Sequence, residues 1–348
     1  MAKIGIIGTG LIGTSLALAL RQSDLRNLEL SGTDYESSAR SGAQKRGAFH
    51  KVEGRIQPVI EGADVVVLAT PVMAMRELME AIGPMLQEDA VVTDVGSSKQ
   101  VVAGWAAELL PKTAQYVGGH PMAGRETAGP EHASADLFAG KAYCVVPNPD
   151  TKEQAVSAVT TMAEAVGAKP FFISAGEHDS FVAAVSHLPF MMSVALMQTV
   201  SKSANWDDIA QLASSGFRDL SRLASGDAIM HRDISITNRE PIVSWIDSYI
   251  RELYEIRNLL NEPSGPDPEA VEQLFEGASV ERARWMAGAI TPGGRVERNA
   301  PEIPSFGEAM GEMLMGRKLL EAQRRFFRGG RDSDDARTDQ ERDGRGRK

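Results

Sequence analysis

Short apolar runs alternate with helix-patterned stretches over the first half of the chain, and the alternation stops near Ala175. The runs Lys3–Ile7, Leu28–Thr33, Val65–Ala69, Val91–Asp94, Tyr116–Val117, Tyr143–Val146 and Phe171–Ile173 are too short for helices, and most are rich in Val and Ile. Each predicts a strand buried on both faces. Between them Leu11–Arg21, Met73–Leu86, Gln100–Leu110 and Lys152–Val166 carry helical periodicity. Buried strands that alternate with helices imply an α/β fold, a mostly parallel sheet covered on both sides. That domain is expected over residues 1–174.

Beyond Ala175 no further strand is predicted. Apolar residues at helical spacing mark Glu177–Ser201, Ala228–Thr237, Pro241–Leu260, Pro268–Ala289 and Phe306–Phe327. On the third of these, Ile242, Trp245, Ile246, Tyr249, Ile250, Leu253, Ile256 and Leu260 make one long stripe, and Pro241 suits its first turn. Ser305 and Glu308 have capping-box spacing at the start of the last helix. An all-α domain over 175–328 follows, with more apolar surface than a small bundle needs, which makes a homodimer through this domain the expectation. Residues 329–348 hold one alanine and no larger aliphatic side chain, the composition of a disordered polar tail.

The 348 residues suffice for two cores. A net charge of -10 argues against nucleic acid or an anionic membrane as the main partner. Cys144 is the single cysteine, so an intramolecular disulfide and a Cys-based zinc cluster are both excluded, and no metal is expected. No uninterrupted apolar run approaches the ~18 residues of a membrane span, and the first residues enter a strand rather than a signal peptide. A cytoplasmic protein is the expectation.

Chemistry enters at IGIIGTGLIG. Gly8, Gly10 and Gly13 have the GxGxxG spacing between a strand and a helix, and Leu11 and Ile12 open that helix. Gly8 permits a tight turn, Gly10 lets backbone approach a pyrophosphate, and Gly13 allows close helix packing. Asp34 ends the second strand, 21 positions after Gly13. A carboxylate there accepts from a ribose 2′-hydroxyl and repels a 2′-phosphate, which favours NAD over NADP. Arg40 is the nearby cation that could soften this preference, though a solvated helix position accounts for it as well. Thr70 and Pro71, in LATPV, fall where a loop would border the cofactor. The first domain thus reads as a Rossmann-type, NAD-binding domain.

Ligands of open α/β sheets bind beyond the carboxyl ends of the strands. TDVGSSK places Asp94, Ser97, Ser98 and Lys99 at one such end, and VGGHP places His120 at the next. A neutral imidazole can take the proton of an alcohol whose carbon gives up hydride. In SHLPF, His187 precedes Pro189 in an apolar helix, and spacing alone serves a ligand wall or a core histidine equally. Arg218, Arg222 and Arg232 stand among Asp219, Asp227 and Asp233, where a guanidinium could clamp a carboxylate or close a surface salt bridge. The residues alone lead to NAD-dependent oxidation of a hydroxylated, anionic small molecule.

In these residues the chain resembles the prephenate and arogenate dehydrogenase family of tyrosine biosynthesis. The matching pieces run in order over residues 3–290: IGIIGTGLIGTSLA, VVLATPV, TDVGSSK, GGHPMAGRE, LFAGKAYCVVPNP, SHLPF and GFRDLSRLASGDAIMHRDI. The resemblance implies a Rossmann domain followed by a helical dimerisation domain, and oxidative decarboxylation of a cyclohexadienol with NAD(P)+. It also implies residue roles. His120 would be the base at the ring hydroxyl, with Ser97 beside that hydroxyl and the nicotinamide. His187 would line the substrate pocket, Arg222 would anchor a carboxylate, and Glu126 would bridge ionic groups. Three positions depart from the pattern: Arg125 where a small hydroxyl residue is usual, Ala128 in place of a common serine, and His231 at an often aromatic position. An inward Arg125 would disfavour the ammonium of arogenate and so favour prephenate. Nothing after Pro292 resembles a regulatory domain. Another β-hydroxyacid dehydrogenase would need a helical lysine that Lys202 supplies poorly, and a non-catalytic NAD-binding regulator would not need His120, Ser97 and Arg222 together.

Overall fold

The computed structural model describes residues 2–290. Within them a single sheet is built from β1 (Ala2–Ile7), β2 (Leu28–Thr33), β3 (Lys51–Glu53), β4 (Val65–Leu68), β5 (Val91–Asp94), β6 (Gln115–Pro121), β7 (Ala142–Pro147) and β8 (Lys169–Phe172). Its spatial order is β3-β2-β1-β4-β5-β6-β7-β8. Neighbours from β3 to β6 are parallel, β7 runs antiparallel to β6, and β8 is parallel to β7. All seven expected strands are present. The additional β3 is three residues long, two of them charged, and offers no apolar run to read. The order reverses between β1 and β4, which opens a crevice at their carboxyl ends.

Helices α1 (Leu11–Gln22), α2 (Ser37–Lys45), α3 (Gln57–Ile60), α4 (Ala74–Ile82), α5 (Gln100–Leu109) and α6 (Glu153–Ala165) make the connections. Successive strand residues enter opposite cores. Ile6, Val65, Val67 and Val91 pack with Leu16, Leu20, Val159 and Met162 of α1 and α6. Ile7, Val66, Leu68 and Val92 pack with Met75, Met79, Ile82 and Val102 of α4 and α5. Burial on both faces is why these strands show continuous apolar runs instead of alternation.

After the sheet come α7 (Ala175–Val182), α8 (Leu188–Ser201), α9 (Trp206–Gln211), α10 (Ser215–Ser221), α11 (Ala228–Thr237), α12 (Arg239–Leu260) and α13 (Pro268–Met286). Ser174 and Glu177 form a capping box at the start of α7. The expected continuous helix Glu177–Ser201 is interrupted: residues Ala183–His187 form a turn of π-helix, and Pro189 stands in the first turn of α8. Proline has no N–H to give, and the wider turn absorbs the missing bond. The stretch Ala175–Ser201 also reaches a mean hydropathy of 1.6, which by length and composition alone would allow a membrane crossing. Yet it buries His178, Asp179 and His187, which hydrogen-bond to other parts of the fold.

Ala183, Phe190, Ile234 and Ile242 form a third small core. The chain divides into two units, with the break after Ile250. The sheet and the helices through the first half of α12 belong to one unit. The second unit, as far as it is described, holds the end of α12 and α13, whose start is capped by Asp267. The expected helix Phe306–Phe327, its cap and the polar tail lie outside the described residues.

Candidate active site

The glycine turn after β1 has the geometry a dinucleotide needs. Gly8 has φ +104, and a Cβ there would lie 2.2 Å from the carbonyl oxygen of Ala69. A Cβ on Gly13 would lie 2.0 Å from the carbonyl of Gly8, whereas Gly10 faces open space. The two outer glycines are therefore required by packing, and the middle one leaves a gap above the start of α1. Leu11 and Ile12 are half-buried in the first turn of that helix. Asp34 follows β2, its carboxylate accepting from the amides of Thr9 (2.6 Å) and Glu36 (2.9 Å). Those bonds hold it in place and leave lone pairs for a ribose hydroxyl. Arg40 is not freely solvated: its Nη1 donates to the carbonyls of Asp34 (2.6 Å) and Tyr35 (3.0 Å) and braces the same loop. Across the crevice, Thr70 Oγ1 is buried without a partner among the described residues, and Pro71 beside it is exposed. An open glycine, a braced carboxylate and an orphaned hydroxyl around one crevice fit a bound dinucleotide.

The carboxyl ends of β5 and β6 carry a buried polar cluster. Lys99, 1% exposed, pairs with Asp94, which also accepts from Tyr116 Oη (2.6 Å) and the amide of Gly96 (2.7 Å). The glycines of VGGHP make room for it. A Cβ on Gly118 would lie 3.0 Å from Cδ of Lys99, and one on Gly119 would lie 2.5 Å from the carbonyl of Asp94. Burial, with Asp94 beside it, holds the Tyr116 hydroxyl well above its ordinary pKa.

His120 lies inside β6, opposite Cys144 of β7, rather than in the loop that follows. It is 8% exposed, and burial, with His178, Lys99 and His187 nearby, depresses its pKa well below the ordinary value. The imidazole is therefore neutral at pH 7. Its Nδ1 lies 2.8 Å from Nε2 of His178, whose Nδ1 lies 2.8 Å from Oδ1 of Asp179. Asp179 also accepts from the amides of Lys99 (2.7 Å) and Gln100 (2.9 Å), capping α5 from the middle of α7. Spacing did not single out His178 or Asp179, because an HD pair inside a short helix carries no period of its own.

His187 closes the π turn and is fully buried, with its pKa lowered to about 4, mainly by burial. Nδ1 meets Asn238 Nδ2 at 3.0 Å, while Nε2 has no partner among the described residues. Phe190 leans on it, and His231 stacks on Phe190 with centroids 4.3 Å apart and planes 9° from parallel. His231 thus fills an aromatic's place in that stack. Ser98 is spent on Thr237 (2.7 Å), whereas half-buried Ser97 makes no hydrogen bond within the described chain.

The arginines separate. Arg222 pairs with Glu126 in the loop after β6, both side chains about half exposed. Arg232 pairs with buried Asp233 (2.7 Å). Arg218 lines an open recess with Met197, Trp206 and Phe217. Arg125 is exposed, and its charge helps hold the Asp136 carboxyl low after the hydrogen bonds from Ser134 and the backbone.

Two family models match: prephenate dehydrogenase, nucleotide-binding domain, over residues 16–171, and prephenate dehydrogenase, dimerization domain, over residues 174–277. A prephenate dehydrogenase of Bacillus subtilis is 32% identical over 275 residues, 78% of this chain and 71% of that one. The chain belongs to the prephenate dehydrogenase family. Among solved structures, the prephenate dehydrogenase from A. aeolicus in complex with hydroxyphenyl propionate and NAD+ superposes with a TM-score of 0.74 at 30% identity. That match covers 82% of this chain and 98% of the other. The Synechocystis arogenate dehydrogenase gives 0.69 at 29%, covering 81% and 99%. A prephenate dehydrogenase and an arogenate dehydrogenase therefore share this architecture.

Proposed function

We propose that the chain catalyses the NAD-dependent oxidative decarboxylation of prephenate to 4-hydroxyphenylpyruvate. The observation that carries the chemistry is the neutral, buried His120 at the carboxyl end of β6, in a chain of this family. NAD, when bound, supplies the hydride acceptor. Gly8, Gly10, Leu11, Ile12, Gly13, Asp34, Thr70 and Pro71 are the residues that hold it. His120 takes the proton of the ring hydroxyl as hydride leaves the carbinol carbon, and Ser97 steadies that hydroxyl. The carbon–carbon bond to the ring carboxylate then breaks, CO2 departs, and its electron pair completes the aromatic ring.

Substrate carboxylates are the business of Arg222, which must exchange Glu126 for its ligand, while His187 presents a polar edge to the pocket. Arg125 adds positive charge at the rim and tilts the preference from arogenate towards prephenate. A homodimer through the helices fits the dimerization-domain match and the half-exposed Trp245, Tyr249, Ile250 and Leu253 along α12. A small-molecule biosynthetic role also suits the cytoplasm. Purified protein with NAD is to be offered prephenate, arogenate and simple hydroxy acids, with NADH followed by absorbance. NADH and 4-hydroxyphenylpyruvate from prephenate are expected, and turnover confined to simple hydroxy acids would overturn the reading.

A further inference from the structure

Each hydrogen bond between Asp179 and His120 has its direction fixed by the one before it. A carboxylate only accepts, and Asp179 already receives the amides of Lys99 and Gln100. His178 Nδ1, 2.8 Å from Oδ1, must donate. A neutral imidazole has one N–H, so His178 Nε2 is an acceptor. Its partner, Nδ1 of His120 at 2.8 Å, must then donate, and Nε2 of His120 is left bare. The three side chains span the β6 end and the first helix after the sheet, with His178 and Asp179 at 0% and 1% exposure.

We propose that His178, backed by Asp179, is a positioning residue that sets His120 in the Nδ1–H tautomer and shares the proton His120 takes up. This rests on the reading of His120 as the base for a hydroxyl. The proton balance of the reaction explains why a sealed relay suffices. The O–H bond breaks as Nε2–H forms, and the C–H electron pair leaves as hydride to NAD+. The C–CO2 electron pair enters the ring, and the oxygen, now phenolic, takes the same proton back. No net proton is released, so the site needs a place to hold one briefly and no channel to water. His178 and Asp179 supply that place, because a positive His120 would find an acceptor with a carboxylate behind it.

The test reads the tautomer directly. With histidine labelled by nitrogen-15, the ring shifts of His120 in the full-length protein are expected to show Nδ1 protonated and Nε2 bare at pH 7.5. In His178→Leu, which has no acceptor, His120 is expected to shift towards the Nε2–H form, and kcat to fall about a hundredfold while KM changes less than about threefold. In His178→Gln the amide oxygen still accepts, and kcat is expected within about tenfold of the parent. A His120 protonated on Nε2 in the parent overturns the proposal, as does a His178→Leu protein with the parent's kcat. The nitrogen shifts need no turnover, so a protein inactive on prephenate would sink the assigned reaction without affecting this measurement.

Discussion

Asn238 Nδ2 donates to Nδ1 of His187, and the roles cannot be reversed. The same nitrogen lies 2.8 Å from the carbonyl oxygen of Asp179, which can only accept. The amide is therefore pinned, His187 Nδ1 accepts at 3.0 Å, and the ring N–H sits on the unpartnered Nε2. A buried donor without a partner costs roughly 1–3 kcal/mol, and a ligand oxygen repays it. Asn238→Asp puts an acceptor opposite Nδ1 and turns the outward atom from donor to acceptor. The expected result is a rise in KM for prephenate of about tenfold with NAD affinity unchanged, measured by steady-state kinetics and cofactor titration.

Replacing the base should separate binding from chemistry. His120→Asn keeps a polar group of similar reach but cannot accept a proton at neutral pH. Turnover should fall by about a hundredfold or more, with NAD binding retained by fluorescence titration. Turnover at the parent's level would remove His120 from the reaction.

Acid should loosen the fold before carboxylates titrate. His120, His178 and His187 all have depressed pKa values, chiefly through burial. In the unfolded chain each takes a proton near pH 6.5. Below that pH the unfolded state binds more protons, so stability is complete above about 6.5 and declines as pH falls towards the folded values. For His187 that lower limit is about 4. A Tm lower by about 5 °C at pH 5 than at pH 7 is expected by calorimetry, and a flat Tm would contradict it.

Lys99 and Asp94 should be inseparable. Lys99→Met strands a carboxylate at 0% exposure, and loss of one partner of a buried pair costs about 3–5 kcal/mol. Urea melts should show that loss, whereas Lys152→Met, which breaks an exposed pair with Asp89, should cost less than about 1 kcal/mol.

Arg125 bears on the choice of substrate. Arg125→Ser removes a cation from the loop that carries Glu126, so the ratio of kcat/KM for arogenate to that for prephenate should rise severalfold. An unchanged ratio would mean that Arg125 does not sense the side chain.

Much of the sheet was legible because a strand buried on both faces must be largely apolar, as VVVL of β4 is. The glycine turn was legible for the same kind of reason: Gly8 and Gly13 stand where any side chain would strike backbone. His120 was found through its place at a strand end, and the glycines before it make room for Lys99 and Asp94. His178, Asp179 and Asn238 were not legible. Their partners on other elements lie between 51 and 80 residues away, and no local period records such a meeting. Arg40 shows the converse error, a residue that looks solvated in the sequence and braces backbone in the fold.

The π turn before Pro189 is, in angular terms, a correction of phase. At about 100° per residue, eight steps of ordinary α-helix would leave Asp179 and His187 about 80° apart around the axis. The extra residue in the turn removes about one step, leaving roughly 20°, so both can meet the single nitrogen of Asn238. Deleting one residue from Ala183–Ser186 would restore a regular helix and rotate everything before it away from everything after. The helix would keep its composition and its length within one residue, and the two halves of the histidine cluster would no longer face the same way.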